Sequence, residues 1–253
     1  MRRAERLALD ARIRKRDLRF VLQSPPVEEA PPSPEFEPWF ETFGFDTPPP
    51  KASWIGRPEL AAVSQQLPYA TCLAHAICRL QETLLRLRAA NQPLDADMFH
   101  QCVAGLNCRA GQPRPARHVT LLRDAGAPTN TGAFEPDDQC PAELPAPSRC
   151  IRAELLAGPA EAKHVLARHA PVVAIMTAEQ RFARVTDFSV YSDGGGDADL
   201  NHALLLVGYD DDGGYWEVQN SYGTGWGRGG FGRIAYGNCS ILAGPAHPAF
   251  ALY

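Results

Sequence analysis

The sequence contains no run of 18 or more apolar residues, so no transmembrane helix is expected and no membrane partner. It also lacks a signal peptide. No apolar stretch follows the opening Met-Arg-Arg, and MRRAERLALDARIRKRDLRF is broken by charge every few residues. Such a chain stays in the cytoplasm or leaves by a route that reads no signal peptide; a trimmed chain would look the same. There is no basic excess. Lys and Arg number 25 against 29 Asp and Glu, a net charge of −4, which points to no nucleic-acid partner. No CxxC pair occurs, so no zinc site is suggested, and no internal repeat is visible. GGGDADLN at 194–201 resembles one unit of a calcium repeat, but in a single copy with imperfect spacing it reads as a loop. The cysteine count is not even: with seven, at least one stands outside any intramolecular disulfide. A catalytic thiol would account for that one, and burial as reduced thiols would account for all of them.

What is present divides the chain unevenly. Its 253 residues, 45% of them hydrophobic, suffice for one large domain or two lobes sharing an interface. Residues 1–23 carry seven Arg and Lys15 against Glu5, Asp10 and Asp17, and read as a charged, solvated, weakly amphipathic helix. Residues 24–50 are rich in proline and glutamate, which excludes a helix or a central strand. Five aromatics in that strip (Phe36, Trp39, Phe40, Phe43 and Phe45) argue for an extended segment lying on a surface. A helix is expected from Cys72 to about Ala90, capped by Thr71, with Leu73, Ile77, Leu80, Leu84 and Leu87 at helical spacing. Shorter helical patterns lie near 95–103, 115–124 and 160–169. From residue 171, PVVAIM, HALLLVGY, YWEVQN and GFGRIA read as strands of an antiparallel sheet or barrel, and Asp210 to Gly214 as a hairpin turn. The other histidines (His75, His100, His118, His164, His169 and His247) are read as surface or packing residues.

Cys72 opens the helix expected to run to about Ala90, and that position suits a nucleophile. A thiol attacks a carbonyl as thiolate, and a helix N-terminus offers partial positive charge and free N–H groups that favour the anion. The Cys72 backbone N–H can also face the oxyanion that forms during acyl transfer. A lone cysteine at a helix start is more often structural, so the assignment rests on what accompanies it.

Three segments accompany it: QQLPYATCLAHAICRLQE around Cys72, NHALLLVGY around His202, and QNSYGTGWGRGGFGRI around Asn220. Together they resemble the nucleophile, histidine and asparagine segments of papain-family cysteine peptidases. The asparagine segment is the most specific. His202 and Asn220 follow Cys72 by 130 and 148 residues, a separation typical of the family and so a check rather than a derivation. The resemblance implies an α+β, two-lobe fold: a helical lobe, an antiparallel β-barrel-like lobe and a cleft between them. It implies Cys72 as nucleophile, His202 as its base, Asn220 as the residue that orients the histidine, and the Gln66 side-chain amide as second oxyanion donor. Trp54 falls where the family domain opens. Ala110 and Gly111 match a Gly-Gly pair whose backbone binds extended peptide. Ala203 and Gly244 would flank the pocket for the second residue before the cleaved bond, and Tyr222 takes the place of a tryptophan that covers the Asn–His bond. Of the family's disulfides only Cys102 with Cys140 keeps both partners. Cys108 and Cys239 lack theirs, since Tyr69 and Gly196 stand where those would be.

Other departures are Ala70, Thr71 and Leu73 in place of Gly, Ser and Trp. With the Pro-rich lead-in, they make the chain more similar to bacterial papain-like peptidases with a short N-terminal segment than to lysosomal ones. The expectation is a monomeric cysteine endopeptidase that needs no cofactor and takes peptide or protein substrates. Its peptidase domain spans 48–253, and residues 1–47 are a charged helix and Pro-rich segment, of which 24–47 lie in or beside the cleft and restrain activity, the competing reading being a structural strap on the back of a lobe. An acyltransferase or ligase using the same machinery, an effector or toxin peptidase with a narrow target, and a catalytically dead binding module are the alternatives.

Overall fold

The computed structural model describes residues 47–109, 114–192, 200–243 and 248–253. The charged helix expected over 1–23 and nearly all of the Pro-rich strip lie outside the described residues, as do Ala110, Gly111, Gly244 and the 194–199 loop.

The first half is helical. Helix α1 (Cys72–Leu87) is the longest, and Leu73, Ile77, Leu80 and Leu84 are buried along it, while Leu87 is left exposed near its end. Its other faces are largely buried as well, and several polar residues there are tied to groups outside the helix. Gln81 donates to Ser148 Oγ and to the Arg149 carbonyl, both at 3.0 Å. Glu82 accepts from the Leu94 amide at 2.6 Å and pairs with Arg79. The Ala61 amide donates to Thr83 Oγ1 at 3.0 Å. A buried helix with satisfied polar groups cannot slide without leaving several of them bare.

Helix α2 (Ala96–Met98) is capped by Asp95, whose carboxylate accepts from the Met98 amide, and continues as a π-helical turn over Phe99–Val103. That turn carries Cys102, which is bridged to Cys140 as the resemblance implied. Cys72, Cys78, Cys108, Cys150 and Cys239 are free and buried. Helices α3 (Pro115–Asp124) and α4 (Pro159–Arg168) each open on a proline, where the missing N–H costs nothing. Both agree with the sequence pattern within a residue.

The second half is one sheet. Strands β2 (Ala153–Leu156), β3 (Val172–Met176), β4 (Val190–Tyr191), β5 (His202–Asp210), β6 (Tyr215–Gln219), β7 (Phe231–Ala235) and β8 (Ala249–Leu252) lie in the order β2-β8-β3-β5-β6-β7-β4, and β1 (Lys51–Ser53) adds to β5. The α+β expectation of a helical half and a sheet half holds, and the structure refines the antiparallel, barrel-like lobe in two respects. The sheet is mixed, because β4 runs parallel to β7. It is also not a closed barrel: β2 and β4 end the strand order and do not pair with each other.

Strand β5 organises the sheet. All nine of its residues are buried, β3 and β6 flank it, and β1 joins its far end with Ser53 opposite Gly208. The register shifts between Leu206 and Gly208. A Cβ at Gly208 would lie 2.6 Å from the Ala52 carbonyl oxygen and 2.8 Å from Glu217 Oε2, so only glycine lets β1 and β6 close in together. Trp54, buried just past β1, donates from Nε1 to the Leu166 carbonyl at 2.8 Å and ties the chain entry to α4. Helix α1 packs against β5 and β3.

Beside α1 lies a buried polar cluster. His118 Nδ1 donates to the Arg114 carbonyl at 3.0 Å, and its Nε2 is 3.3 Å from His100 Nδ1. Burial holds both imidazoles far below the ordinary histidine value, His100 at about 3 and His118 at about 4. Both are therefore neutral in the folded protein at pH 6, whereas the unfolded chain binds protons from about pH 6.5 downward. Stability is unaffected by these groups above pH 7 and should decline as the pH falls from 6.5 toward 4, by on the order of 3 kcal/mol for His118. Urea titrations across that range should show the decline, with a shallower slope in His118→Gln. An unfolding midpoint that does not change between pH 7 and 4.5 would contradict it.

Candidate active site

Cys72 is the first residue of α1, and its thiol is acted on by the backbone N–H groups of Ala203, Leu73 and Cys72 itself. Ala203 is the second residue of β5, so the packing of helix on strand sets the sulfur beside the strand that begins with His202. Thr71 was expected to cap α1, but its side chain makes no capping hydrogen bond. Its hydroxyl instead donates to Asp97 Oδ1 at 2.8 Å, an oxygen that also lies 3.2 Å from His75 Nε2. The first N–H groups of α1 are thus left to the site, and no acidic residue occupies the first turn to oppose an anion there.

His202 is 2% exposed and held on several sides. Its Nε2 meets Asn220 Oδ1 at 2.9 Å. The aromatic ring of Tyr222 lies with its centroid 4.9 Å away, and Phe182 stands edge-on at 5.9 Å. The Tyr222 hydroxyl comes to 3.4 Å from Nδ1, at the limit of a hydrogen bond. Since Asn220 Oδ1 can only accept, Nε2 carries the proton of the neutral ring and Nδ1 presents a lone pair. Asn220 lies just past β6, its Oδ1 also accepting from the Ser221 amide at 2.8 Å.

Gln66 is 1% exposed. Its Nε2 donates to the Tyr69 carbonyl at 2.8 Å, and its Oε1 accepts from Ser221 Oγ at 2.5 Å. Its backbone N–H donates to the Ser221 carbonyl at 2.8 Å. One of its two amide hydrogens is thus committed to Tyr69 and the other is available. Ser221 links Gln66 to Asn220, a role the sequence signalled only by placing it inside the asparagine segment. Ala203 is wholly buried, and its N–H rather than its side chain reaches the sulfur. Ala110, Gly111 and Gly244 lie outside the described residues.

The electrostatics are those of a dry site. Burial pushes the Cys72 thiol up to about 11, against the pull of the three backbone amides. Burial pushes His202 down to about 4, against the bond to Asn220. A lone thiolate and a lone imidazolium are therefore both disfavoured, and transfer of the thiol proton to the ring is the route to charge that leaves the net charge of the site unchanged. Among the described residues no group of side chains could hold a metal ion.

A family profile described as "Papain family cysteine protease" matches residues 60–249. Macrodontain-1 of Ananas macrodontes is 26% identical over 213 residues, 79% of this chain and 98% of that protein. Ananain of Ananas comosus is 41% identical over a segment of 58 residues, 19% of this chain and only 17% of that protein. Among solved structures, digestive procathepsin L 3 of Tenebrio molitor larval midgut superposes with a TM-score of 0.74 at 20% identity, over 94% of this chain and 78% of that one.

Cys72 should react with iodoacetamide at pH 6 far faster than Cys78, Cys108, Cys150 and Cys239, as read by mass spectrometry of the peptides. His202→Ala would leave an isolated buried thiol near 11, with roughly one molecule in 10⁵ ionised at pH 6. Its labelling should then fall at least about tenfold. Uniform labelling of the cysteines, or no effect of His202→Ala, would count against a coupled pair.

Proposed function

The chain belongs to the papain family of cysteine proteases, and we propose that it is a cysteine endopeptidase working through a thioester on Cys72. The observation that carries this reading is the arrangement of three segments distant in sequence. A buried thiol sits at a helix N-terminus and at the Ala203 amide, one residue from a histidine whose far nitrogen is fixed by Asn220 at 2.9 Å.

In this reading His202 Nδ1 takes the thiol proton as sulfur adds to the substrate carbonyl carbon, and the C=O electron pair moves onto oxygen. The backbone N–H of Cys72 and the second amide hydrogen of Gln66 receive that oxyanion. The tetrahedral adduct collapses, the C–N bond breaks, and the imidazolium returns its proton to the departing amine. Water then adds to the thioester with His202 as base, releasing the acid and restoring the thiol. Asn220 keeps the ring in the one orientation that serves both steps and moves no proton itself. Ala110 and Gly111 would pair with the extended substrate backbone. An apolar side chain two residues before the scissile bond would lie near Ala203 and Gly244, both small and uncharged.

Cys72→Ala and His202→Ala should abolish turnover of peptide substrates, and Asn220→Ala should keep a fraction, reduced roughly tenfold to a hundredfold in kcat. Product analysis with an added amine separates hydrolysis from acyl transfer: free acid as the main product supports the peptidase. Full activity in Cys72→Ala would end this reading.

We also propose that residues 24–47 restrain the enzyme, and that its kin are bacterial papain-like peptidases with a short N-terminal segment. The departures at Ala70, Thr71 and Leu73 support the second statement. Proline density and five aromatics support the first, because a strip already restricted loses little entropy on docking. The strip enters the domain where Pro49 accepts from Tyr209 and Lys51 pairs with Asp210, at the end of β5 remote from His202. Eight residues of strand separate the two, about 26 Å, within the roughly 80 Å that 24 extended residues span. Removing residues 1–45 should speed turnover of a short fluorogenic peptide. Unchanged turnover by a folded, trimmed enzyme would refute the restraint.

A further inference from the structure

A small cavity of about 10 Å³ lies against Asn220, lined also by Ser64, His75, Arg79, Gln219, Ser221 and the apolar side chains of Ala76, Leu204 and Leu205; neither Cys72 nor His202 borders it. Among the described residues, the buried polar atoms of this lining that make no hydrogen bond to the protein include Ser64 Oγ, Arg79 Nε, Gln219 Oε1 and Asn220 Nδ2. The two amides cannot cure this by flipping. Gln219 Nε2 is committed to the Ala61 carbonyl at 2.7 Å. Asn220 Oδ1 is committed to the Ser221 amide at 2.8 Å and to His202 at 2.9 Å. The residues around this space thus carry one acceptor, two donors (Asn220 Nδ2 and Arg79 Nε) and one hydroxyl able to act as either; the space is the size of a single water molecule, which needs two to four polar partners.

We propose that this cavity binds one structural water, which accepts from Asn220 Nδ2, donates to Gln219 Oε1 and takes Ser64 Oγ as its third partner. The role given to it rests on the reading of Asn220 as the residue that orients His202. The oxygen end of the Asn220 amide is held by protein, and the water holds the nitrogen end. Without it, buried N–H bonds go unmet and the amide rotates to find partners, carrying its oxygen off His202 Nε2. Ser64 and Gln219 are therefore positioning residues acting through the water. A larger polar cavity of about 580 Å³, which reaches past Asn130 and Gly132, shares Ser64, His75 and Arg79 with the small one.

The test combines crystallography and kinetics on the full chain. A high-resolution crystal structure should show one ordered water within hydrogen-bonding distance of Asn220 Nδ2 and Gln219 Oε1, and Ser64→Val, which puts a methyl group in place of the hydroxyl partner, should expel it. Ser64→Val should lower kcat about three- to tenfold with KM little changed and shift the acid limb of the kcat/KM pH profile. Ser64→Thr, which keeps the hydroxyl, should restore both. In an Asn220→Ala background Ser64→Val should cost nothing further. Wild-type density without a water there overturns the site. A water that is present while Ser64→Val costs the same with and without Asn220 overturns the positioning role. The density is read whether or not Cys72 is the nucleophile, so failure of the catalytic reading is separately visible.

Discussion

Everything at the site depends on one contact, the start of α1 against the start of β5. It brings the Cys72 sulfur to the Ala203 amide and so to within one residue of His202. Both partners in that contact are clamped. Strand β5 is buried along its whole length, with β3 and β6 on its two sides and β1 added at the Gly208 bulge. Helix α1 is pinned through Gln81, Glu82 and Thr83 to backbone outside it. Side chains held by such elements keep a fixed separation, which the proposed reaction requires of its thiol and imidazole.

The same burial decides how charge is handled. Thiol and imidazole both lie in a poorly solvated space, and each alone resists ionisation. A proton passing between them leaves the net charge unchanged, so the cost of desolvation falls on a pair and is offset by its mutual attraction. The helix N-terminus contributes because nothing else consumes it. Thr71 would ordinarily turn its hydroxyl back onto α1, and here it bonds to Asp97, which His75 also approaches. The Asp97 carboxylate thus takes the Thr71 hydroxyl and leaves the first amide groups of α1 to the Cys72 side.

His202, Asn220, Ser221 and Gln66 form one connected set. The ring nitrogen, the asparagine oxygen, the Ser221 amide and hydroxyl and the glutamine oxygen follow one another in hydrogen-bonding distance. The orientation of His202 and the placement of the Gln66 amide are coupled through it, so a change at Ser221 is felt at both. Tyr222 closes the set from the side, its ring over the imidazole and its hydroxyl near Nδ1.

The sequence by itself determined the long elements and the carriers of chemistry. The helical spacing of Leu73, Ile77, Leu80 and Leu84, the prolines that open α3 and α4, and the apolar runs of β3, β5, β6 and β7 are patterns contained within single segments, where burial leaves a period. The motifs around Cys72, His202 and Asn220 are local as well. Tertiary structure alone decided what depends on distant partners. Strands β1, β2, β4 and β8 have two to four residues each, too few to carry a period, and exist because a neighbour supplies the other half of the ladder. The parallel β4–β7 pair that makes the sheet mixed, the turning of Thr71 toward Asp97, and the use of Ala203 through its amide follow from packing across more than 20 residues of chain. Ser64, Gln219 and Asn220 enclose a shared space for the same reason: a cavity is a property of surfaces that meet, and no one segment encodes it.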